Sequence, residues 1–471
     1  MVATTPPASQ TSSRSLREEL WQLFRLGGPI ALVQLGMTAM NFVDVAMLGH
    51  HAPQAMPAMA LGNTIAMAPM FFCMGAITAI DPMLSQAVGA KDHGAIPVVL
   101  GRGLVLALVL SLPCALLLLP AETWLRLCGQ SEALIDAAAS YTRWQAAGVV
   151  PFLGYAVLRC FLSAHGSVMP QVVTIVGANL LNALLDWMLI FGHGGCPALG
   201  ATGAAIATVV SRWAMLVTLL WFGRHHAMPA LRTLANAAVR ARALQWQPLL
   251  RVLRLGAPIG GQFVLEIGVF AATALLIGRF DAATTNGDGS RLAGHQIALQ
   301  LASLSFMVPL GLGIASSVRV GWAVGRGDPA AVQRSVTAAV IAAVSVMTMF
   351  MVVFLAFPEP LARSMNTHPE AIAMATALIP IAGAFQIGDG IQVVAIGCLR
   401  GLGDTRSPLL ANVVGFWLLG LPLGCWLAFG LEGGPAGLWW GLVAGLFVVA
   451  AGLLFVLRLR VAERGARLTV D

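Results

Sequence analysis

The sequence predicts an all-α membrane protein of about twelve transmembrane helices in two pseudo-symmetric six-helix bundles. Three observations carry that expectation. The chain of 471 residues is 58% hydrophobic and only 10% charged. Apolar stretches of about 20 residues, the length that crosses a bilayer core, recur along all of it. The two halves are related: Arg25-Leu-Gly-Gly-Pro-Ile30 returns, changed at one position, as Arg254-Leu-Gly-Ala-Pro-Ile259, and both copies open a long apolar run. Gly49 keeps step with Gly278, and Ala87-Val-Gly89 with Ala323-Val-Gly325. The ladder Gly203, Ala207, Ser211 matches Gly437, Gly441, Gly445. A repeat of this length in so apolar a chain points to a transporter whose site lies between two bundles, and it excludes a water-soluble core.

The elements follow in order. Residues 1–24 lack an apolar core followed by a small-residue cleavage site, so they read as a disordered cytoplasmic tail, with the first span as the insertion signal. The N-terminal lobe, 25–223, holds spans at 26–49, 60–80, 96–119, 139–162, 170–191 and 203–221. A cytoplasmic linker, 224–250, follows. The C-terminal lobe, 251–457, holds spans at 252–277, 292–316, 335–357, 373–398, 409–429 and 437–456, and a cytoplasmic tail closes the chain at 458–471.

Arginine placement sets the orientation. Arg14, Arg17 and Arg25 precede the first span; Lys91, Arg102, Arg159, Arg224, Arg232, Arg240, Arg242 and Arg251 fall on the same side. So do Arg319, Arg326, Arg334, Arg400, Arg406, Arg458, Arg460, Arg464 and Arg467. The alternate loops carry Arg126, Arg279, Arg291 and Arg363 beside Glu122, Glu132, Asp288, Glu359, Glu370 and Glu432. The positive-inside rule then makes both termini cytoplasmic. The net charge of +7 follows from this topology and from anionic lipid headgroups, with no nucleic acid partner required.

Smaller features read as packing. The seven cysteines are dispersed without metal-ligand spacing and read as small packing residues. The glycine ladders let helices approach closely. Methionines and phenylalanines that line a central cavity would suit substrates of varied shape and positive charge. Pro29 and Pro258 occupy matching places, where a kink in the first span of each lobe and an ordinary first-turn proline are both open readings. His50, His165 and His193 read as interfacial, His295 as a side chain within the eighth span that can carry a proton. Asp81 and Arg319 read as anchors at span ends, solvated by water and loop groups.

Ionisable groups at bilayer depth cost roughly 2.5–3.5 kcal/mol each, so each asks for a reason. Glu266 lies near the middle of the seventh span and Asp389 near the middle of the tenth, which puts them at similar depth. There they can share one cation. Asp44 lies in the outer third of the first span, and Asn182 and Asp186 sit one turn apart on one face of the fifth. These three form a candidate second site. A lone acid of this kind can also be a neutral helix-to-helix hydrogen-bonding device, a reading that weakens when several acids match in depth.

Phe42-Val-Asp-Val-Ala-Met-Leu-Gly49, Ser85-Gln-Ala-Val-Gly-Ala90, Leu265-Glu-Ile267, Ala293-Gly-His-Gln-Ile-Ala298, Arg319-Val-Gly321, Ile391-Gln-Val-Val394 and Leu399-Arg-Gly-Leu-Gly-Asp404 together resemble the multidrug and toxic compound extrusion (MATE) family, in its bacterial NorM-type branch. The resemblance implies two bundles around a central cavity, alternating access, and export of organic cations and drugs in exchange for Na⁺ or H⁺, with no cofactor, from the bacterial inner membrane. It also implies that Glu266 and Asp389 couple to the cation, as Na⁺ ligands if sodium is used. Asp44, Asn182 and Asp186 match residues tied to coupling or substrate binding in other branches, so Glu266, Asp389 and Asp44 are the candidate substrate contacts. The repeat places Met37 opposite Glu266 and Thr273 opposite Asp44, so the lobes are related without being chemically equivalent.

Two other classes fit the sequence less well. A flippase of lipid-linked saccharides in the same general architecture needs a cationic cavity for pyrophosphate, whereas the mid-membrane charges here are mostly acidic. An intramembrane enzyme needs a nucleophile and base at one depth, and no His-Glu-x-x-His, Gly-x-Ser-x-Gly or Walker lysine is present. A monomer among membrane lipids is the simplest assembly.

Overall fold

The computed structural model describes residues 15–51, 53–282, 289–463 and 468. Residues 1–14 of the predicted tail, Arg14, Asp288, Arg464, Arg467 and the side chain of His50 lie outside the described residues. Among those described the chain is helical, without strands. Spans one to three are Leu16–Gly49, Met56–Gly89 and Ala95–Leu118. Span four is a bent pair, Glu132–Ala147 and Val149–Ala164, meeting at 45°. Spans five to eight are Met169–Leu189, Ala201–Phe222, Trp246–Asp281 and Ser290–Arg326; nine to twelve are Pro329–Ala356, Pro369–Gly401, Arg406–Gly430 and Gly434–Ala462. Several overrun the apolar windows read from the sequence. A window detects hydrocarbon thickness, while helical hydrogen bonding continues into the headgroup layer.

One segment differs from the expectation for a physical reason, and the linker takes a form that the sequence reading left open. Residues 16–24, assigned to the tail, are the opening turns of span one, because Leu23 and Glu19 are buried at 1% and 5% exposure against the rest of the protein. The linker is not extended chain. It folds into helices Arg224–Leu234 and Ala237–Ala243, which pack on span three, where Arg102 donates to the Arg242 carbonyl at 3.2 Å.

Packing follows the repeat. In the N-terminal lobe, span one packs on five, two on four, three on four, four on six and five on six. Seven on eleven, eight on ten, nine on ten, ten on twelve and eleven on twelve repeat that pattern six spans later. The lobes meet reciprocally, span one against eight and span seven against two. The predicted ladder joins spans eleven and twelve: a methyl group on Gly441 would overlap the Gly424 backbone, and one on Gly445 the Gly415 carbonyl. Pro29 and Pro258 both stand inside continuous helices, which removes the first-turn reading; each leaves one carbonyl of the helical ladder without its donor.

Contact between the lobes is concentrated at the ends of the spans that carry the arginine-rich loops. There Gln86 Nε2 donates to the Gly401 carbonyl at 3.0 Å, Trp322 Nε1 to the Ala164 carbonyl at 2.7 Å, and Ser317 Oγ to Asp81 Oδ2 at 2.9 Å. Backbones touch through glycines. A Cβ at Gly75 would lie 2.5 Å from Gly260 Cα, and one at Gly260 would strike the Phe72 carbonyl. The substitution Gly260→Val is therefore expected to wedge spans two and seven apart at a cost of about 1–3 kcal/mol. Efflux should be lost while the protein still reaches the membrane, as quantified by drug accumulation alongside an immunoblot of the membrane fraction.

Asp81 and Arg319 depart from their sequence reading. They are 9% and 7% exposed, so neither is solvated by water. Arg319 binds Glu19 of span one through Nε at 3.0 Å and Nη2 at 2.5 Å, and Ser335 Oγ of span nine donates to the same carboxylate oxygen. Each is a buried charge partnered across the lobe interface.

Candidate functional site

Inside the C-terminal lobe, spans seven, ten and eleven converge on Glu266. Gln262 and Glu266 are one turn apart on span seven, and Asp389 and Gln392 three residues apart on span ten, so each pair lies on one helix face. Gln392 Nε2 donates to Glu266 Oε1 at 2.5 Å. Gln262 and Asn412 also sit beside this carboxylate, with Arg400 the nearby cation. Asp389 is close enough for the charge of Glu266 to act on it, and both acids are half-buried. Gln392 Oε1 and both amide atoms of Asn412 are buried without a hydrogen bond.

The backbone of span eleven widens at this point. Directly after Asn412, residues Val413–Gly420 form a π-helical stretch, a distortion that recurs at functional sites because it frees polar groups from the regular ladder. Two like charges that act on each other repel, and a cation between them relieves the repulsion. The available ligands, Glu266, Asp389, Gln392 Oε1 and Asn412 Oδ1, are all oxygens, the donor type that hard cations take.

The N-terminal acids also come together. Span five is tied to span one where Asn179 Nδ2 donates to the Gly36 carbonyl at 3.0 Å. This places Asn182 and Asp186 beside Asp44. Thr208 of span six donates to Asp44 Oδ2 at 2.9 Å. Asp44 Oδ1 and both polar side-chain atoms of Asn182 and of Asp186 are buried without a hydrogen bond. Asp44 is 2% exposed, and Asn182 and Asp186 are fully buried. The nearest cation is Arg212, which donates to Gln145 Oε1 at 2.5 Å and lies over Phe152. Both predicted constellations therefore assemble, one half-open and one enclosed.

His295 belongs to neither. It is fully buried and accepts at Nδ1 from Trp439 Nε1 at 3.1 Å. That bond assigns the ring proton to Nε2 and the imidazole to an aromatic cluster with Phe385 and Phe270. The sequence reading missed Thr208, Arg212, Gln262, Gln392 and Asn412, and took Arg400 only as one of the arginines that set the orientation. Arg212 was the detectable one, a guanidinium six residues from Ile206 inside an apolar run. The amides gave no signal, because a single Gln or Asn in a span is common helix-to-helix glue.

Two related six-helix lobes, joined at one end and each holding carboxylates within its spans, define the class of polytopic membrane transporters built from repeats. The MatE family model matches residues 29–188 and 258–426, one stretch in each lobe. Among curated relatives, the probable multidrug resistance protein NorM of Mesorhizobium japonicum is 37% identical, covering 93% of both chains. That of Bradyrhizobium diazoefficiens is 35% identical, covering 97% of both. Among solved structures, the eukaryotic MATE transporter AtDTX14 superposes with a TM-score of 0.83 at 21% identity, covering 97% of this chain and 100% of that one. The chain belongs to the MatE family of multidrug efflux transporters, as a multi-pass bacterial membrane protein.

Proposed function

We propose that this protein exports organic cations and drugs from the cytoplasm in exchange for Na⁺ or H⁺ by alternating access, with both termini cytoplasmic in the bacterial inner membrane. The observation that carries the reading is the Glu266 site: two carboxylates within reach of each other's charge, half-buried, and surrounded by amide atoms that lack partners. A group built to take a cation has this composition. Asp44, Asn182, Asp186 and Thr208 offer an enclosed counterpart suited to a proton or a dehydrated ion.

Charge competition supplies the coupling. With the arginine-rich end facing the cytoplasm, closure there makes this conformation outward-facing. A coupling cation entering from outside neutralises Glu266 and Asp389, and the cationic drug loses the charge that held it. After reorientation the cation leaves to the cytoplasm, and the bared carboxylates bind the next drug. Two ligands that share one anionic site exclude each other, which is antiport by linkage.

The test is ethidium or fluoroquinolone accumulation in cells with and without the protein, at fixed pH, in the presence and absence of sodium, with a collapsed ion gradient as control. Lower accumulation that vanishes with the gradient is the expected result, and sodium dependence assigns the ion. Accumulation indifferent to the protein in every condition would overturn the reading.

A further inference from the structure

Between the Glu266 site and the arginine-rich end, a second set of charges gathers where the lobes meet, Asp81 buried and Arg159 and Arg400 half-buried. Asp81 of span two accepts from Ser317 of span eight, while its Oδ1 is buried without a partner. Two guanidinium groups act on it, Arg159 from its own lobe and Arg400 from the other. Arg159 is engaged with Gln34 Oε1 at 2.7 Å. Arg400 faces two ways: Nη2 donates to Gln262 Oε1 at 3.0 Å, one turn from Glu266, and the charges of both Glu266 and Asp81 act on it. Its Nε is buried with no partner.

An unused donor on Arg400 and an unused acceptor on Asp81 lie in opposite lobes, and the charge of the site carboxylate acts on the same guanidinium. We propose that Arg400 is a positioning residue that serves as the transporter's internal competing cation, shared between Glu266 and Asp81 while the lobes are closed and left wholly to Glu266 once they part. This rests on the reading of Glu266 as a coupling-cation ligand. In the closed state Asp81 draws off part of the guanidinium's charge, and Glu266 holds the coupling cation well. When the lobes separate at the arginine-rich end, Asp81 departs with spans two and four. Arg400 then competes at full strength and drives the cation out on that side. Release is thereby tied to opening, by a charge already in place.

The other groups that act on Glu266 are Asp389 and Gln392 of span ten, Asn412 of span eleven and Gln262 of its own span. None bridges the lobes. The experiment measures the concentration of coupling cation giving half-maximal efflux, using sodium at fixed pH and protons in sodium-free medium. Arg400→Gln should lower it at least tenfold, since a unit charge at an effective dielectric of about 20 still has an effect of that size across about 12 Å. Its maximal rate should fall as well. Arg400→Lys, which keeps the charge, should stay near the wild-type midpoint. Asp81→Asn should raise the midpoint severalfold, and Asp81→Asn with Arg400→Gln should follow Arg400→Gln.

Opposite shifts from Arg400→Gln and Asp81→Asn support the proposal, since lost packing alone would lower the rate without moving the midpoints apart. Unmoved midpoints, or shifts in one direction, overturn it. Where Arg400→Gln does not reach the membrane, Asp81→Asn decides, because its midpoint must rise. Glu266→Gln separates the two readings. Cation-dependent efflux that survives it removes the site itself, whereas efflux lost in Glu266→Gln with unmoved midpoints in the other variants removes only the role of Arg400.

Discussion

Glu266→Gln and Asp389→Asn are each expected to bring drug resistance down to the level of cells lacking the protein, with membrane protein levels unchanged. Both substitutions keep side-chain size and hydrogen-bonding capacity. The Gln392 bond to position 266 at 2.5 Å can persist with an amide oxygen as acceptor, and Asp389 makes no hydrogen bond among the described residues that would be broken. What disappears is the negative charge, and with it the attraction for a coupling cation and for a cationic drug. Removing a charge from bilayer depth also relieves an insertion cost of about 2.5–3.5 kcal/mol, so neither variant should fold less readily. Asp44→Asn provides the comparison between lobes. The amide oxygen can take over the bond that Thr208 donates to Asp44 at 2.9 Å, and a coupling site confined to the C-terminal lobe leaves resistance in this variant largely intact. Resistance minimum inhibitory concentrations with an immunoblot decide the matter. Unchanged resistance in both C-terminal variants at normal protein levels would sink the assignment of Glu266 and Asp389.

The architecture was legible because bilayer thickness and pseudo-symmetry both leave a periodic mark in one dimension. The twelve apolar windows and the paired Arg-Leu-Gly-x-Pro-Ile segments needed no knowledge of contacts. The acids at matching depths were legible for the same reason, since an ionisable residue in a span is rare enough to be seen singly. The polar shell was not. Gln392 meets Glu266 across 126 positions of sequence and Thr208 meets Asp44 across 164, distances over which local pattern carries no information. Asp81 and Arg319 were misread for a related reason. A charge at a span end is normally solvated, and only the packing of one lobe on the other, through Ser317 and Glu19, buries these two. The helix of residues 16–24 was hidden by its composition, because Arg17, Glu18 and Glu19 dilute an apolar window that Leu20 and Leu23 still satisfy as a helix face.

Arg319→Ala is expected to destabilise the closed arrangement by about 3–5 kcal/mol, because it removes the guanidinium that pairs with the buried Glu19 carboxylate. Glu19 sits at 5% exposure with Arg319 and Ser335 as donors, and Arg319 and Ser335 belong to the opposite lobe. The loss therefore falls on the contact that holds the first turns of span one against spans eight and nine. Efflux should drop severely, and the purified protein should unfold at lower temperature. The pair Glu19→Leu with Arg319→Met separates two explanations. A buried ion pair replaced by apolar groups of similar volume is often neutral or stabilising, so the double variant should regain the wild-type unfolding temperature. If efflux returns with it, the interface needs only a packed contact at this position. If stability returns and efflux does not, the charge pair itself is required for alternation, since an apolar contact in its place fails to part on the cycle's timescale. An unfolding temperature unchanged by Arg319→Ala would contradict the buried, mutually dependent pair on which both outcomes rest.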